Sequence, residues 1–392
     1  MIVRQFLQWV SSAPAGDRAE ATSALARAYL YSDLTEQDRA AAEGAMVMLL
    51  DDPSPLVRRA LAQVFAGSED APPAIVHSLV TDQPHIAAPI LERSPLLLDA
   101  DLIDAVGSGD PVRQIAVASR TPVGCAVAAA IAEVGTAAAC LALLENSDAE
   151  MAPFSIDRIV ARHGHLAPIR DALLPRDDIA VSTRHALISS LSETLAGFVT
   201  ARRWLSSERA EQICREAREK ATVKLAAETS EDEMTALVRH LRESGQLTGG
   251  LILRAILSGQ MALFEEALAE LSGVPVSRVA GIVRDRRGSS FRALYDRAGL
   301  PAVAYPAFRA AVETIREDGI AGDPGGASRL RRRIVERVLA QCEDAAIDEI
   351  DPLVTLLRRY AAEAAREEAR LFCEELVAQD RICIDVEHRD AA

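Results

Sequence analysis

Histidines, cysteines and paired carboxylates are the side chains from which this chain could build a reactive centre, and their spacing argues against each option. His163 and His165 flank Gly164, with His185 further along. Three histidines in one region suggest a metal, but zinc needs four placed ligands, or three and a water, and no His-Glu dipeptide supplies the rest. A turn carrying polar residues is the favoured reading. The six cysteines, Cys125, Cys140, Cys214, Cys342, Cys373 and Cys383, form no Cys-x-x-Cys pair and follow no regular spacing. They read as reduced core residues in a cytosol rather than a disulfide framework or zinc site. The sequence has no Gly-x-Ser-x-Gly elbow and no cysteine with an obvious histidine nearby. Carboxylate pairs such as Asp51-Asp52 and Glu374-Glu375 fall where helix starts use acids for capping and solubility. The expectation is a non-enzymatic chain with no catalytic residue, no cofactor and no metal.

Two basic stretches could bind anions. From Ala269 to Val283, the residues Ala269, Gly273, Val274, Val279 and Val283 fall at the spacings of helix-turn-helix DNA readers. Gly273 would permit the tight turn and the valines would lock the two helices together. Ser277, Arg278, Arg284, Arg286 and Arg287 would then meet phosphates or base edges. Any helical hairpin with a glycine turn reproduces this apolar spacing, so packing alone explains it equally simply. Arg329, Arg331, Arg332 and Arg333 follow a glycine-rich loop, but Gly326-Ala327-Ser328 lacks the lysine of a phosphate-binding loop. A solvated face pairing with acids such as Glu336 is the favoured reading.

These candidates must be positioned by helices. Hydrophobic residues make up 49% of the 392 residues and aromatics only 4%, with Ala and Leu prominent, a composition that favours helix over strand. The formal charge is −15, and residues 1–150 hold 20 acids against nine arginines, a net of −11. An acidic half repels phosphate backbones, which makes nucleic acid an unlikely partner there and a basic or amphipathic protein a natural one. The segment from Thr121 to Leu144 is apolar apart from Glu133 and long enough to span a bilayer. Gly135 and Thr136 divide it, so two short Ala-rich helices are expected and no membrane span. Met1 to Val10 lacks the continuous apolar stretch of a signal peptide.

Helix starts recur in the first half. Thr35 and Asp38 open one helix. Asp52, Pro53, Ser54 and Pro55 open the next, followed by the apolar face of Leu56, Val57, Ala60, Leu61 and Val64. Asp110, Pro111, Val112 and Arg113 repeat that order, with looser copies at Asp82, Pro84 and Ile86 and at Asp148, Met151 and Phe154. A recurrence every 28 to 38 residues is the period of stacked helical hairpins. In this respect the sequence resembles HEAT repeats, whose second helix often opens with Asp, Pro and a Val-Arg pair, here Val57-Arg58 and Val112-Arg113. The resemblance implies that Arg58 and Arg113 are structural, laddering with acids of adjacent hairpins.

A wider resemblance covers much of the chain. The run from Asp52 to Arg120, with Ala88-Pro89-Ile90-Leu91 and Ser94, is similar to the bacterial domain-of-unknown-function family 2336. So are Phe264, Ala267, Leu268, Leu271, Gly273 and Pro275, together with Ala293-Leu294-Tyr295 and Ala298-Gly299-Leu300-Pro301. That resemblance implies a helical fold and transfers no activity. The expected architecture is all-α: a HEAT-like α-solenoid over 1–200, a second helical domain over 201–318, a Gly/Pro-rich linker at 319–328 and two long C-terminal helices over 329–392. The expected task is that of a cytoplasmic scaffold or adaptor that binds protein through an acidic helical-repeat surface. The C-terminal helices offer a route to self-association, and DNA binding by 269–283 is the alternative.

Overall fold

The structure is a computed structural model that describes the backbone of residues 9–10, 12–176, 178–285, 289–318, 326–343 and 351–390. The protein is all-α, 77% helical, and the described residues contain no strand. A lone parallel bridge joins Val123 to Ala149. Two compact units, 1–191 and 192–392, divide the chain.

The first unit holds α1 (Ala15–Tyr31), α2 (Glu36–Leu49), α3 (Pro55–Phe65), α4 (Pro73–Val80), α5 (Pro84–Arg93), α6 (Asp99–Gly107), α7 (Pro111–Ala118), α8 (Cys125–Val134), α9 (Ala137–Glu145), α10 (Pro153–His163) and α11 (Ala167–Leu173). The first part of α12 (Val181–Ala201) completes it. The helix starts follow local chemistry. The Thr35 hydroxyl accepts from the Asp38 N–H, Ser54 caps α3 ahead of Pro55, and Asp110 takes the N–H groups of Val112 and Arg113 ahead of α7. Packing then alternates. Helices α1, α3, α5, α7, α9 and α11 each lie on the next of that set, while α6, α8 and α10 form a second row. One continuous core lies among them, from Ala26 and Tyr29 through Phe65 and Ile90 to Leu173. The apolar segment at 121–144 is split into α8 and α9, and no described helix is long and apolar enough to cross a membrane. Gly135 makes that break: a Cβ there would collide with the carbonyl of Ile131, which lets the chain turn directly into the cap of α9.

In the second unit, α13 (Ser207–Ala227), α14 (Glu231–Glu243), α15 (Gly249–Leu257), α16 (Met261–Ser272), α17 (Val276–Arg284), α18 (Ser289–Arg297) and α19 (Tyr305–Asp318) precede α20 (Gly326–Glu343) and α21 (Asp351–Asp390). Helix α15 is its axis. Every residue from Leu251 to Leu257 is buried, and the helix touches α13, α16, α19 and α20, as expected of one apolar on all sides. On α13, Ala210, Thr222, Val223 and Ala226 face inward, while Ile213 and Ala217 are exposed. The final helix runs through 382–386, a stretch whose alternating apolar residues also fit a strand. Residues 319–325 of the expected Gly/Pro-rich linker lie outside the described residues.

Candidate functional site

Three constellations carry unusual chemistry. The first is a ladder along the N-terminal ends of α1, α3, α5 and α7. Arg18 forks onto the Asp52 carboxylate at 2.9 and 2.8 Å. Arg58 donates to the Asp52 carbonyl at 2.6 Å and forks onto Asp82 at 2.6 and 3.1 Å. Arg113 reaches the carbonyl of Asp82 at 2.5 Å. Burial pushes the carboxyls of Asp52 and Asp82 up, but their arginines and the N–H groups of Ser54 and Gln83 outweigh it and hold both below the ordinary range. Asp52 and Asp82 thus spend their oxygens on guanidinium groups of the neighbouring hairpin as well as on their own turns. A second set of donors serves the opposite helix ends, where carbonyls lack intrahelical partners. Arg120 binds the carbonyls of Leu91 and Ser94, and Asn146 binds those of Ala118 and Arg120. Sequence spacing gave no hint of Arg120 or Asn146, although each follows the end of a helix by one or two residues. These contacts lock hairpin to hairpin and leave Arg58 and Arg113 committed.

The second constellation is an edge of the same unit, at the N-terminal ends of α6, α8 and α10. A Cβ on Gly124 would sit 3.6 Å from the Asp99 carboxylate, which places the starts of α6 and α8 side by side. The Glu150 N–H donates to the carbonyl of Val123 at 2.9 Å, tying the approach to α10 to the start of α8. Leu98 and Phe154 stand out from this edge, 72% and 62% exposed. Asp99, Asp148 and Glu150 are exposed beside them, while Asp101 caps the Leu98 N–H. Arg120 is the cation in Coulombic range of Asp99, but its guanidinium is held by the two carbonyls already named. The edge thus presents two exposed apolar side chains, one at the start of α6 and one at the start of α10 with α8 between them, each near carboxylates in the chain.

The third lies in the second unit. Gly273 takes the left-handed conformation, φ 67°, between α16 and α17, and Ala269, Val279 and Val283 are buried. Ser277 and Arg278 are exposed on the first turn of α17. Arg284 is exposed at its end, 3.8 Å from Glu265; Arg286 and Arg287 lie outside the described residues. The C-terminal carbonyls of α17 at Ile282 and Val283 are taken by Arg316. Glu265 itself is buried, with one oxygen lacking a hydrogen bond. Burial pushes its carboxyl up and Arg284 offsets only part of that. A raised folded-state value contributes stability fully present below about pH 4 and lost as the pH rises through it. Glu265→Gln is therefore expected to melt higher than the parent at pH 7 but not at pH 4; equal differences at both would contradict this account.

The remaining candidates are dispersed. Among the described residues no three His, Cys, Asp or Glu side chains converge as metal ligands. His163 lies 3.4 Å from the Gly135 carbonyl, and burial pushes its imidazole down; His185 is buried in α12. Cys140 is a core residue whose thiol burial pushes up to about 11, a poor nucleophile at neutral pH. Arg332 is paired with Glu336 at 2.7 Å and Glu368 at 3.0 Å, and the side chains of Arg329 and Arg331 lie outside the described residues.

No curated protein and no solved structure matches the chain. A family model matches residues 86–348, so the stretch from Asp52 to His85, which carries the first clear helix-start motif, precedes the match. The match takes in the Leu98 and Phe154 edge, the hairpin around Gly273 and the axial helix α15. By that extent the chain belongs to the bacterial family described as an uncharacterised protein conserved in bacteria (DUF2336).

Proposed function

We propose that this protein is a cytoplasmic, non-enzymatic scaffold whose first unit, read as a HEAT-like stack, binds a basic amphipathic segment of a partner protein along the α6, α8 and α10 edge. The observation that carries this reading is the exposure of Leu98 and Phe154 among Asp99, Asp148 and Glu150. Large exposed apolar side chains along one edge, with an excess of carboxylates near them, have the composition of anchors within a polar rim. Carboxylates that start helices are already favoured by the helix dipole, so binding need not reorganise them. A partner with an apolar stripe flanked by lysines or arginines would seat its stripe on Leu98 and Phe154. Its cations would be steered in by the acids, in a salt-dependent way.

Because both anchors are exposed, the double variant Leu98→Ser with Phe154→Ser is expected to leave folding stability within about 0.5 kcal/mol. It should nevertheless abolish retention of partners captured from the native host by the full chain. Asp148→Lys with Glu150→Lys should slow association and flatten its salt dependence. If the serine variant retains the same partners as the parent, the edge is not the binding surface.

A second reading is kept by the exposed Ser277, Arg278 and Arg284 on α17, next to the left-handed turn at Gly273. It makes the α16–α17 hairpin a DNA contact, with the first turn of α17 nearest the bases. A duplex mobility-shift assay at physiological salt separates the two. The scaffold reading expects no shift, whereas a shift removed by Arg278→Ala and Arg284→Ala would replace it.

A further inference from the structure

A cavity of about 540 Å³ opens within the second unit between α13, the start of α15 and the first turns of α21. That volume suits a ligand of small-metabolite size. Its wall charges balance, with Arg215 and Arg359 against Glu216 and Glu219. Most of them are already spent. Arg359 donates to Glu216 at 2.5 Å. Glu219, 9% exposed, takes the Thr248 hydroxyl at 3.3 Å on one oxygen, and its other oxygen has only the Arg254 Nε at 3.9 Å, beyond hydrogen-bonding distance. Gly250 admits this carboxylate: a Cβ there would stand 3.1 Å from it. Arg215 is the wall guanidinium without a hydrogen bond or ion pair among the described residues.

Arg215 and the second oxygen of Glu219, which accepts no hydrogen bond and keeps only its ion pair with Arg254, therefore face one cavity, and the two residues sit four apart on α13. Side chains at that spacing emerge from the same helix face about 5–6 Å apart. We propose that the cavity binds a small zwitterion of the α-amino-acid class, its carboxylate on Arg215 and its ammonium on the free oxygen of Glu219. A carboxylate and an ammonium separated by one carbon bridge side chains one helical turn apart. A ligand carrying a single charge would engage only one of the two groups and forgo the second charge-assisted hydrogen bond.

The test is calorimetric titration of the full chain with each protein-forming α-amino acid, with acetate and ethylamine as controls of single charge. At least one amino acid should saturate a single site that neither control fills. Arg215→Ala and Glu219→Gln should each weaken it about tenfold or more, the loss expected for one charge-assisted hydrogen bond. Arg215 is exposed, so its variant tests the proposal even if Glu219→Gln fails to fold. Absence of saturable binding by every amino acid up to about 10 mM, well above the weakest affinity worth assigning, overturns the proposal. So does undiminished affinity in Arg215→Ala.

Discussion

Arg254→Ala is expected to lower the stability of the second unit by about 3–5 kcal/mol, the usual result of removing one partner from a buried ionic cluster. Arg254 is the only charged residue of α15 and is 5% exposed. Its guanidinium stacks 4.1 Å from the centroid of the Tyr360 ring and donates to Glu363 at 2.7 Å, with Glu219 at 3.9 Å. Taking the arginine away leaves two carboxylates without their cation, one of them buried, as well as a void against the ring. Arg254→Met fills the void and should recover little, because the charges remain uncompensated. Adding Glu219→Gln and Glu363→Gln to Arg254→Met should recover most of the loss, since a neutral site of similar volume no longer carries the desolvation cost. Arg254→Lys should fall between, keeping the charge but not the planar stacking. Thermal or urea unfolding of the full chain reads all four. If Arg254→Met is as stable as the parent, the arginine is not needed to neutralise the cluster.

How much of this was legible in the sequence follows from distance along the chain. Local signals were reliable: Thr35, Ser54 with Pro55, and Asp110 with Pro111 each start a helix where their chemistry says they should. Gly135 splits the apolar run, and Gly273 takes the left-handed turn. These features are decided within four residues, by capping and by φ. The Arg254 cluster was invisible because Glu219, Arg254 and Tyr360 come from three separate helices, and no short-range period brings them together. A lone arginine in an apolar helix was its one trace. The buried face of α13 is equally hard to read, because a helix that packs along a narrow line buries small residues such as Ala210 and Ala226 and leaves Ile213 exposed; size and polarity alone do not reveal that phase. The Leu98 and Phe154 edge was hidden for the opposite reason. Each residue is unremarkable in sequence, and only the parallel alignment of α6, α8 and α10 places them on one side.

Asp82→Ala is expected to cost the first unit about 3 kcal/mol, near the lower end for a buried pair, or about 6–12 °C in the midpoint of a unit this size. Asp82 serves two neighbours: its carboxylate holds Arg58 and the Gln83 N–H, and its carbonyl receives Arg113. Alanine keeps the carbonyl, so the Arg113 contact should persist while Arg58, 13% exposed, loses its counter-charge. The pH dependence separates an electrostatic loss from a packing one. The Asp82 carboxyl is held below its ordinary range in the folded chain, so its contribution is present above the unfolded value near 4 and disappears as the pH falls through the folded value. The difference between parent and variant should therefore be constant from about pH 5 to pH 8 and close as the pH drops below about 4. A gap of the same size at pH 3 would mean that the aspartate acts through packing alone. Arg58→Ala should show the same closure from the other partner, since it leaves Asp82 with only its backbone N–H and the more distant Arg113 to hold its charge. The two side chains are almost equally buried, 13% and 15% exposed, and each keeps a backbone hydrogen bond when the other is removed. The two losses should therefore be of similar size, and the ladder would be held by the pair rather than by either member alone.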